Sequence, residues 1–303
     1  CHNADGVSGM ALDTYARASG RADMIAEVVH EERMPPWYAH ADFGEWANDR
    51  SLTDLEKKRI LQWVNYGRKP GDLENATPMP EAPDSDWTIE PDLTIQAKSP
   101  MVLPATGFVP YKYVFFPYEF PADTWIEAIE IKPSNPRVVH HANLVWTPGS
   151  FQFDQSENFL YGLVPGGMPG VAPAGHAFFV PEGARLAIQI HYVTTGKVEQ
   201  DQISVGLRYA KDTVRKRLYY KIMEGDIEIP PGVRKHEVRD TYKLPYDVTG
   251  VALFSHMHLR GRDMTFTANY PDGRSEVMMT LPNYNFDWQL LYMYPPMTVQ
   301  YPK

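Results

Sequence analysis

The feature that most constrains the fold is a series of short apolar runs over the last two thirds of the chain. Each run is rich in β-branched or aromatic residues, and turns containing Pro or Gly separate the runs. Such runs are typical of strands, and strands repeated at short intervals favour antiparallel sandwiches or jelly rolls. Strands are predicted at residues 125–131, 138–146, 186–193, 203–209, 217–222, 248–254, 264–270 and 278–281.

Helical periodicity is confined to the first 70 or so residues. Residues 13–32 place apolar side chains at the spacing of a helix face. A second helix is marked by a capping box of Thr53 and Glu56 at its start and by Gly67 at its end. The acidic, proline-rich residues 72–87 have no periodicity and are interpreted as a linker.

The chain is therefore predicted to be mainly β, with a small α-helical domain in front. The predicted boundaries are a helical domain at 1–71, the linker at 72–87, and two β domains at 88–213 and 214–303. The division between the β domains gives the first of them about 125 residues, an ordinary domain size.

Charge and hydropathy exclude several functions. The net charge of −9 contains no block of like charges, so we expect neither a nucleic-acid surface nor a polybasic membrane patch. The longest apolar runs fall far short of the roughly 20 residues that cross a bilayer, so no membrane span is expected. A single cysteine excludes an internal disulfide framework. Because the sequence opens at Cys1 without Met, we expect preceding residues to be missing.

Two pairs of histidines lie in the apolar runs. Adjacent residues of a strand point to opposite faces, so His140 and His141 can share a ligand only where the strand is twisted or bulged. His256 and His258 are two residues apart, a spacing that puts both on one face of a strand, and Met257 between them is interpreted as core. His191 lies in a third run.

The two pairs are predicted to bind metal, whereas His191 on its own would not qualify as a ligand. Imidazole suits copper, zinc, iron and nickel, while the scarcity of nearby carboxylates argues against calcium or magnesium. Copper and zinc both remain open on spacing alone. The histidines interpreted as ordinary polar residues are His30, His40, His176 and His236.

The segments VVHHANLVW (138–146), IQIHYVTTGK (188–197) and SHMHLRGRDM (255–264) resemble the copper type II, ascorbate-dependent monooxygenases. This is the family of peptidylglycine hydroxylating monooxygenase and dopamine β-hydroxylase. The resemblance covers almost the whole chain and is greatest to bacterial members with a cytochrome c domain in front. It implies two consecutive eight-stranded antiparallel jelly-roll domains, each holding one copper.

The resemblance also implies ligand roles. His140, His141 and His191 would bind an electron-transferring copper, and His256 and His258 would bind the catalytic copper. The family's catalytic copper has a methionine as third ligand, which we expect beyond Lys303. Met293 and Met297 are the nearest substitutes in the sequence, and packing roles are expected for both.

The start of the chain resembles the end of a Cys-x-x-Cys-His haem-attachment motif. Residues 21–37 and 43–67 also resemble the cytochrome c domain of the fused bacterial proteins. Haem c would then be attached at Cys1, with His2 and Met34 as axial ligands, and a thioether ligand raises the haem potential. The alternative for Cys1 is a lipid-modified amino terminus.

The function implied is a periplasmic or otherwise extracytoplasmic copper monooxygenase. It would hydroxylate a C–H bond of a small molecule with O2, using electrons from a donor protein or reductant that enter through the haem. A non-catalytic electron-transfer or copper-binding subunit is one alternative. A zinc hydrolase is another, with Asp263 as the nearest carboxylate, although an ion pair of Asp263 with Arg260 or Arg262 is the stronger expectation. Residues considered for a substrate pocket or for packing are Tyr284, Trp288 and Tyr292.

Overall fold

The computed structural model describes residues 2, 8–72, 74–75, 87–149, 152–223 and 225–303. Cys1 and most of the predicted linker at 72–87 lie outside the described residues. The described chain is mainly β, as predicted, and its sheets are accompanied by four short helices. None of the described helices combines the length and the apolar character that spanning a membrane requires.

Three of the helices lie in the first 70 residues. The helices are α1 (Tyr15–Ser19), α2 (Ala22–His30), α3 (Asp54–Asn65) and, later in the chain, α4 (Gln155–Asn158). The predicted capping box is confirmed: Thr53 Oγ1 accepts from Glu56 N at 3.3 Å, and Thr53 N donates to Glu56 Oε2 at 2.8 Å. Within residues 8–72, the described apolar side chains that are buried are Ala22, Val29, Pro36 and Val64.

Two large sheets and one two-stranded sheet form the first β unit. Its strands are β1 (Leu93–Gln96), β2 (Met101–Leu103), β3 (Lys112–Glu119), β4 (Thr124–Lys132), β5 (Val139–Thr147), β6 (Phe159–Leu163), β7 (Gly170–Val171), β8 (His176–Val180), β9 (Arg185–Tyr192), β10 (Glu199–Asp201), β11 (Ser204–Tyr209) and β12 (Lys216–Arg217). One sheet has the order β1-β11-β4-β8-β12, with β7 paired to β4. The other has the order β3-β9-β5-β6, and β2 pairs with β10 separately.

One hydrophobic core joins these two sheets. Strand β9 illustrates how the core forms. Leu186, Ile188 and Ile190 occupy every second position of this strand, and all three are fully buried. Alternation of this kind sends every second side chain to the core face. Truncating a residue such as Ile188 to alanine typically costs about 2–5 kcal/mol of stability. The strand that carries His191 is therefore held firmly by its own core residues.

The second β unit consists of three antiparallel pairs of strands. Its strands are β13 (Val248–Gly250), β14 (Ala252–Phe254), β15 (Met264–Asn269), β16 (Ser275–Leu281), β17 (Leu291–Met293) and β18 (Val299–Tyr301). The pairs are β13 with β18, β14 with β17, and β15 with β16. The small core of this unit contains Met279, Leu281, Leu290 and Tyr292.

Residues 37–50 complete that small core, although they precede the first β unit in the chain. The ring of Trp37 lies 4.9 Å from that of Tyr292, and Trp46 stacks on Tyr294 at 5.0 Å. Asn48 acts like a strand partner, since its side chain donates to Leu291 O at 2.7 Å and accepts from Met293 N at 2.9 Å. Part of the sequence predicted as helical domain is thus packed on the second β unit.

Most of the predicted strands are present, and one prediction is wrong. Residues 217–222 were expected to form a strand, but only Lys216–Arg217 does so, and the chain from 218 to 223 is irregular. β-branched and aromatic residues favour a strand only where a neighbouring strand is available for pairing. Here β12 pairs with β8 over two residues, and the chain then leaves the sheet.

Candidate metal centre

A β-bulge brings the two adjacent histidines to one site. In the pairing of β5 with β9, Val139 lies opposite Tyr192 and His141 lies opposite His191. The register shifts between Val139 and His141, so His140 is the extra residue of a bulge. The expectation that adjacent histidines need a bulge to converge is confirmed.

The three imidazoles of this cluster are spaced like ligands of one ion. Nδ1 of His140 lies 3.1 Å from Nδ1 of His141. Two nitrogens that each lie about 2.0–2.1 Å from a metal, at an angle of about 100°, are separated by about that distance. One ring nitrogen from each of His140, His141 and His191 can be chosen so that all lie within 4.8 Å of one another. These three residues can therefore hold a metal without rearrangement of the sheet.

Burial gives the cluster a further reason to take a ligand. His140 and His141 are 9% and 4% exposed. Within the described part of the chain, Nε2 of His140 and Nδ1 of His191 are buried without a hydrogen-bond partner. An unsatisfied buried polar atom costs about 1–3 kcal/mol, and a metal bond to Nδ1 of His191 would remove that cost, whereas a metal at Nδ1 of His140 would leave Nε2 of that ring unpaired.

Electrostatics keep these imidazoles in the neutral form that binds metal. Burial, followed by the neighbouring histidines, lowers the pKa of His141 to about 3. Burial also lowers the pKa of His140 and of His191, again with help from other histidines. Because a metal competes with protons for these nitrogens, lowered pKa values extend binding to lower pH.

The second histidine pair lies just beyond a strand and not within one. Strand β14 ends at Phe254, and residues 255–258 are irregular, so the prediction that His256 and His258 share a strand face is wrong. Their ring centroids nevertheless lie 5.1 Å apart. The convergence has a different cause, namely hydrogen bonds from the connection between β16 and β17.

Gln289 fixes the ring of His256. Leu291 pairs with Phe254, so the same register continued by two residues places Gln289 opposite His256. Nδ1 of His256 lies 2.7 Å from Oε1 of Gln289. An amide oxygen only accepts, so Nδ1 carries the proton and the lone pair is on Nε2. Gln289 is 1% exposed, and its Nε2 donates to Phe286 O at 3.3 Å.

Tyr284 fixes the backbone between the two histidines. Its hydroxyl accepts from Met257 N at 3.0 Å and donates to Met257 O at 2.7 Å. Gly261 closes the following turn, with its N–H donating to His258 O at 2.8 Å. A Cβ at Gly261 would lie 2.4 Å from Cβ of Met257, so only glycine fits. Met257 is half-buried, in agreement with a packing role.

The two histidine groups lie side by side. The ring centroids of His141 and His256 are 5.5 Å apart, although the residues are far apart in the sequence. Phe286 stacks on His140 at 4.5 Å with an interplanar angle of 15°. Tyr111 flanks the other side, with its ring 5.3 Å from that of His191 and 6.1 Å from that of His141.

The remaining candidates are placed elsewhere or bound to other groups. Asp263 is exposed and lies 3.4 Å from the guanidinium of Arg262, which confirms the expected ion pair. Met293 pairs with Ala252 across the β14–β17 ladder, and Met297 is half exposed with a positive φ of 65°. The four histidines interpreted as ordinary polar residues are absent from the three-residue group found among the described residues.

The proposed haem ligands fit that role in part. Nδ1 of His2 lies 2.9 Å from Met10 O, so Nδ1 carries the proton and Nε2 has the lone pair that iron requires. Met34 is half-buried beside Pro35 and Pro36, and its N–H donates to Val28 O at 3.1 Å. With few buried aliphatic side chains of their own, residues 8–72 would gain core from a large apolar group.

Four residues around the histidines were not predicted to support them. Gln289, Phe286 and Tyr111 carried no signal in the sequence, because their roles depend on pairing between distant segments. Tyr284 was noted only as an aromatic residue of a pocket or a packed strand edge. If the pairing of β14 with β17 had been known, extending its register by two residues would have identified Gln289 as the partner of His256.

Comparisons with known proteins add no assignment. No model of a protein family matches the chain, and no curated protein matches it at a significant level.

Proposed function

We propose that the chain is a copper-dependent monooxygenase that hydroxylates a C–H bond of a small organic molecule. The balanced reaction is R–H + O2 + 2 e⁻ + 2 H⁺ → R–OH + H2O. The proposal includes the detailed fold that the resemblance implies, namely a cytochrome c-like region followed in the sequence by two jelly-roll domains. The single observation that carries it is a largely buried three-histidine cluster in contact with an exposed histidine pair.

The donor set favours a redox metal over a hard cation. The three-residue group contains imidazoles alone, and no Asp or Glu of the described chain joins it. Neutral imidazoles bind copper in both of its common oxidation states, whereas calcium and magnesium require oxygen ligands. Copper held by these residues would supply the one-electron chemistry that O2 reduction needs.

Exposure supports the division of roles between the two groups. His140 and His141 are nearly buried, which suits a site that stores and passes an electron while excluding water and substrate. His256 and His258 are exposed, so O2 and an organic molecule can reach that pair. Catalytic metal sites keep such an open position.

The surrounding residues hold the reactive geometry in place. Gln289 keeps the proton of His256 on Nδ1 and directs Nε2 away from the amide. Tyr284 holds both backbone groups of Met257, so the backbone between the two histidines is fixed. Phe286 covers one face of the His140 ring. Outer-shell contacts of this kind determine ligand orientation and metal affinity.

Electrons are proposed to enter from a c-type haem held by His2 and Met34, with attachment at Cys1. The hydrogen bond from His2 Nδ1 to Met10 O is the kind of contact that orients an axial histidine. A reductant or a donor protein outside the cytoplasm would supply electrons to the haem, since c-type haem and copper enzymes of this kind are expected there. The substrate is a small organic molecule of unspecified class.

The test is the O2 reaction of the reduced protein. The full chain carrying copper and haem would be reduced with ascorbate and mixed with O2, and haem reoxidation would be followed by visible absorbance. We expect His258→Ala to slow reoxidation at least about 100-fold, because it removes a ligand and not only an outer-shell group. His236→Ala, at an exposed histidine outside the cluster, should leave the rate unchanged.

Other results would contradict the proposal. Equal rates in the parent and His258→Ala proteins would favour an electron-transfer subunit. Stoichiometric zinc without haem absorbance would favour the hydrolase alternative. Hydroxylation itself is tested by incubating the protein with ¹⁸O2 and an extract of extracytoplasmic small molecules. Mass spectrometry should then show one ¹⁸O atom incorporated into one of these molecules.

A further inference from the structure

We infer that Asp201 is a positioning residue for the three-histidine cluster, because its buried carboxylate fixes the strand register that the bulge at His140 requires. The inference rests on the proposed copper binding by the cluster but not on the hydroxylation reaction. Asp201 is the last residue of β10 and is itself outside the group of possible metal ligands.

The carboxylate of Asp201 accepts hydrogen bonds from two separate segments of the chain. Asp201 is 1% exposed. Its Oδ2 accepts from the hydroxyl of Tyr192 at 2.9 Å. Its Oδ1 accepts from Asn135 N at 2.9 Å and from Ser134 Oγ at 3.3 Å. A buried carboxylate is costly unless such hydrogen bonds satisfy it, so acceptor and donors hold one another in place.

These two segments lead directly to the histidines. Tyr192 follows His191 at the end of β9, and Asn135 lies in the turn that precedes β5. Within that turn, Asn135 O accepts from Val138 N at 3.3 Å, and Val138 O accepts from Val193 N at 2.8 Å. One buried carboxylate therefore joins the start of β5 to the end of β9.

This connection fixes the register on one side of the bulge. His141 lies opposite His191, so an unbulged pairing would continue with His140 opposite Tyr192. Val139 occupies that position instead. In the unbulged pairing His140 and His141 would point to opposite faces of the sheet, and His140 would leave the cluster. The hydrogen bonds of the buried carboxylate therefore oppose the one-residue slip that would remove a ligand.

The experiment counts the imidazoles bound to copper in full chains. All of these chains carry His256→Ala and His258→Ala, so that copper binds at the cluster alone, and the chain with no other change is the reference protein. Pulsed electron paramagnetic resonance of Cu(II) detects the remote nitrogen of each bound imidazole, and we expect three in the reference protein. Tyr192→Phe removes only the hydroxyl, and Asp201→Asn replaces one acceptor oxygen with a donor. Each should bind copper through two imidazoles, with an affinity about 10–100-fold lower.

A matched control separates positioning from a general loss of stability. Tyr294→Phe removes a tyrosine hydroxyl that lies 3.0 Å from the hydroxyl of Tyr301 in the second β unit. Because that hydrogen bond has no connection to β5 or β9, the control should retain three imidazoles and the reference affinity.

A measurement on the copper-free chains tests the register itself. Nuclear Overhauser effects between backbone protons of β5 and β9 identify the residue that lies opposite Tyr192. We expect Val139 there in the reference protein, and we expect this contact to be lost or weakened in Asp201→Asn.

Three results would overturn the inference: three imidazoles and the reference affinity in both variants, an unchanged pairing of Val139 in copper-free Asp201→Asn, or an equal loss of imidazole in Tyr294→Phe. A reference protein that binds no copper, or binds it through fewer than three imidazoles, would instead contradict the proposed metal site. The measurement on copper-free chains would then still decide whether Asp201 fixes the register.

Discussion

His141 and His256 belong to different β units, yet their imidazole ring centroids lie 5.5 Å apart. His141 is placed by the ladder between β5 and β9, and His256 by its hydrogen bond with Gln289, just beyond the ladder between β14 and β17. The proposed metal centre therefore depends on how the second β unit packs against the first.

Replacing His141 with alanine should abolish tight copper binding at the buried cluster. It lies directly opposite His191 and beside His140, so its removal leaves two ligands. We expect affinity for Cu(I) to fall more than about 100-fold, since outer-shell changes alone cost about 10–100-fold. Competition with a chromophoric chelator measures the change, and the exposed His236→Ala is the control. Similar affinities for the two variants would refute the assignment of His141.

Replacing Gln289 with leucine should weaken the second site while sparing the first. The variant removes the acceptor for the Nδ1 proton of His256, and the expected loss of copper affinity at the second site is about 10–100-fold. Gln289→Glu keeps an acceptor oxygen and should retain most of the affinity. Gln300→Leu changes an exposed glutamine and serves as the matched control. Equal binding by the leucine and glutamate variants would show that this hydrogen bond does not matter.

Gly261→Ala should displace the second pair of histidines. The added Cβ would lie 2.4 Å from Cβ of Met257 and 3.1 Å from His258 O, so the segment must move. We expect copper stoichiometry to fall from two ions to one, with the buried cluster still loaded. An unchanged stoichiometry would mean that the turn after His258 has more freedom than its packing indicates.

The sequence identified histidines that the fold brings together, but it did not predict the geometry that joins them. The need for a bulge at His140 followed from the alternation of strand faces, and the bulge is present. The strand expected at His256 and His258 is absent, because Ser255 onward is held by contacts with Tyr284 and Gln289. Those contacts come from residues about 30 positions later in the sequence, so a pattern of neighbouring residues could not predict them.

The same limit applies to the fold. Alternating apolar residues predicted most of the β5, β9 and β11 strands, but they could not show that residues 37–50 belong to the core of the second β unit. Trp37 and Trp46 pack on Tyr292 and Tyr294, which come far later in the sequence. Aromatic residues indicate burial, but the partner that buries them is decided by the tertiary fold.

Metal-free protein should lose stability as the pH falls from about 6.5 towards about 3. The pKa of His141 is lowered from 6.5 to about 3 by burial and by its histidine neighbours. In that window the unfolded chain binds a proton that the folded chain does not, so stability is complete above the window and declines below it. The slope is about 1.4 kcal/mol per pH unit, which gives roughly 2 kcal/mol between pH 6.5 and pH 5.

Urea denaturation at several pH values measures this effect on the copper-free chain. The His140 and His191 pKa values are lowered in the same direction and should add to the slope. His141→Ala should show a shallower dependence than the parent protein. Identical pH dependences for the two proteins would show that His141 titrates normally in the folded state.

Asn48→Ala should destabilise the second β unit by about 1–3 kcal/mol, because it leaves backbone groups of Leu291 and Met293 without their partner. Thermal or urea unfolding gives the change in the free energy of unfolding. Asn75→Ala removes an exposed hydrogen bond to Asp72 and should alter stability by no more than about 0.5 kcal/mol. A change in Asn48→Ala as small as that of the control would mean that residues 37–50 are not held on β17.

Anomalous diffraction at the copper absorption edge, from crystals of the copper-loaded full chain, tests the central claim most directly. We expect two copper peaks, one about 2.0–2.1 Å from ring nitrogens of His140, His141 and His191, and the other at the same distance from ring nitrogens of His256 and His258. Copper peaks found only at other residues, or imidazole rings that have turned away from one another with no metal between them, would contradict it.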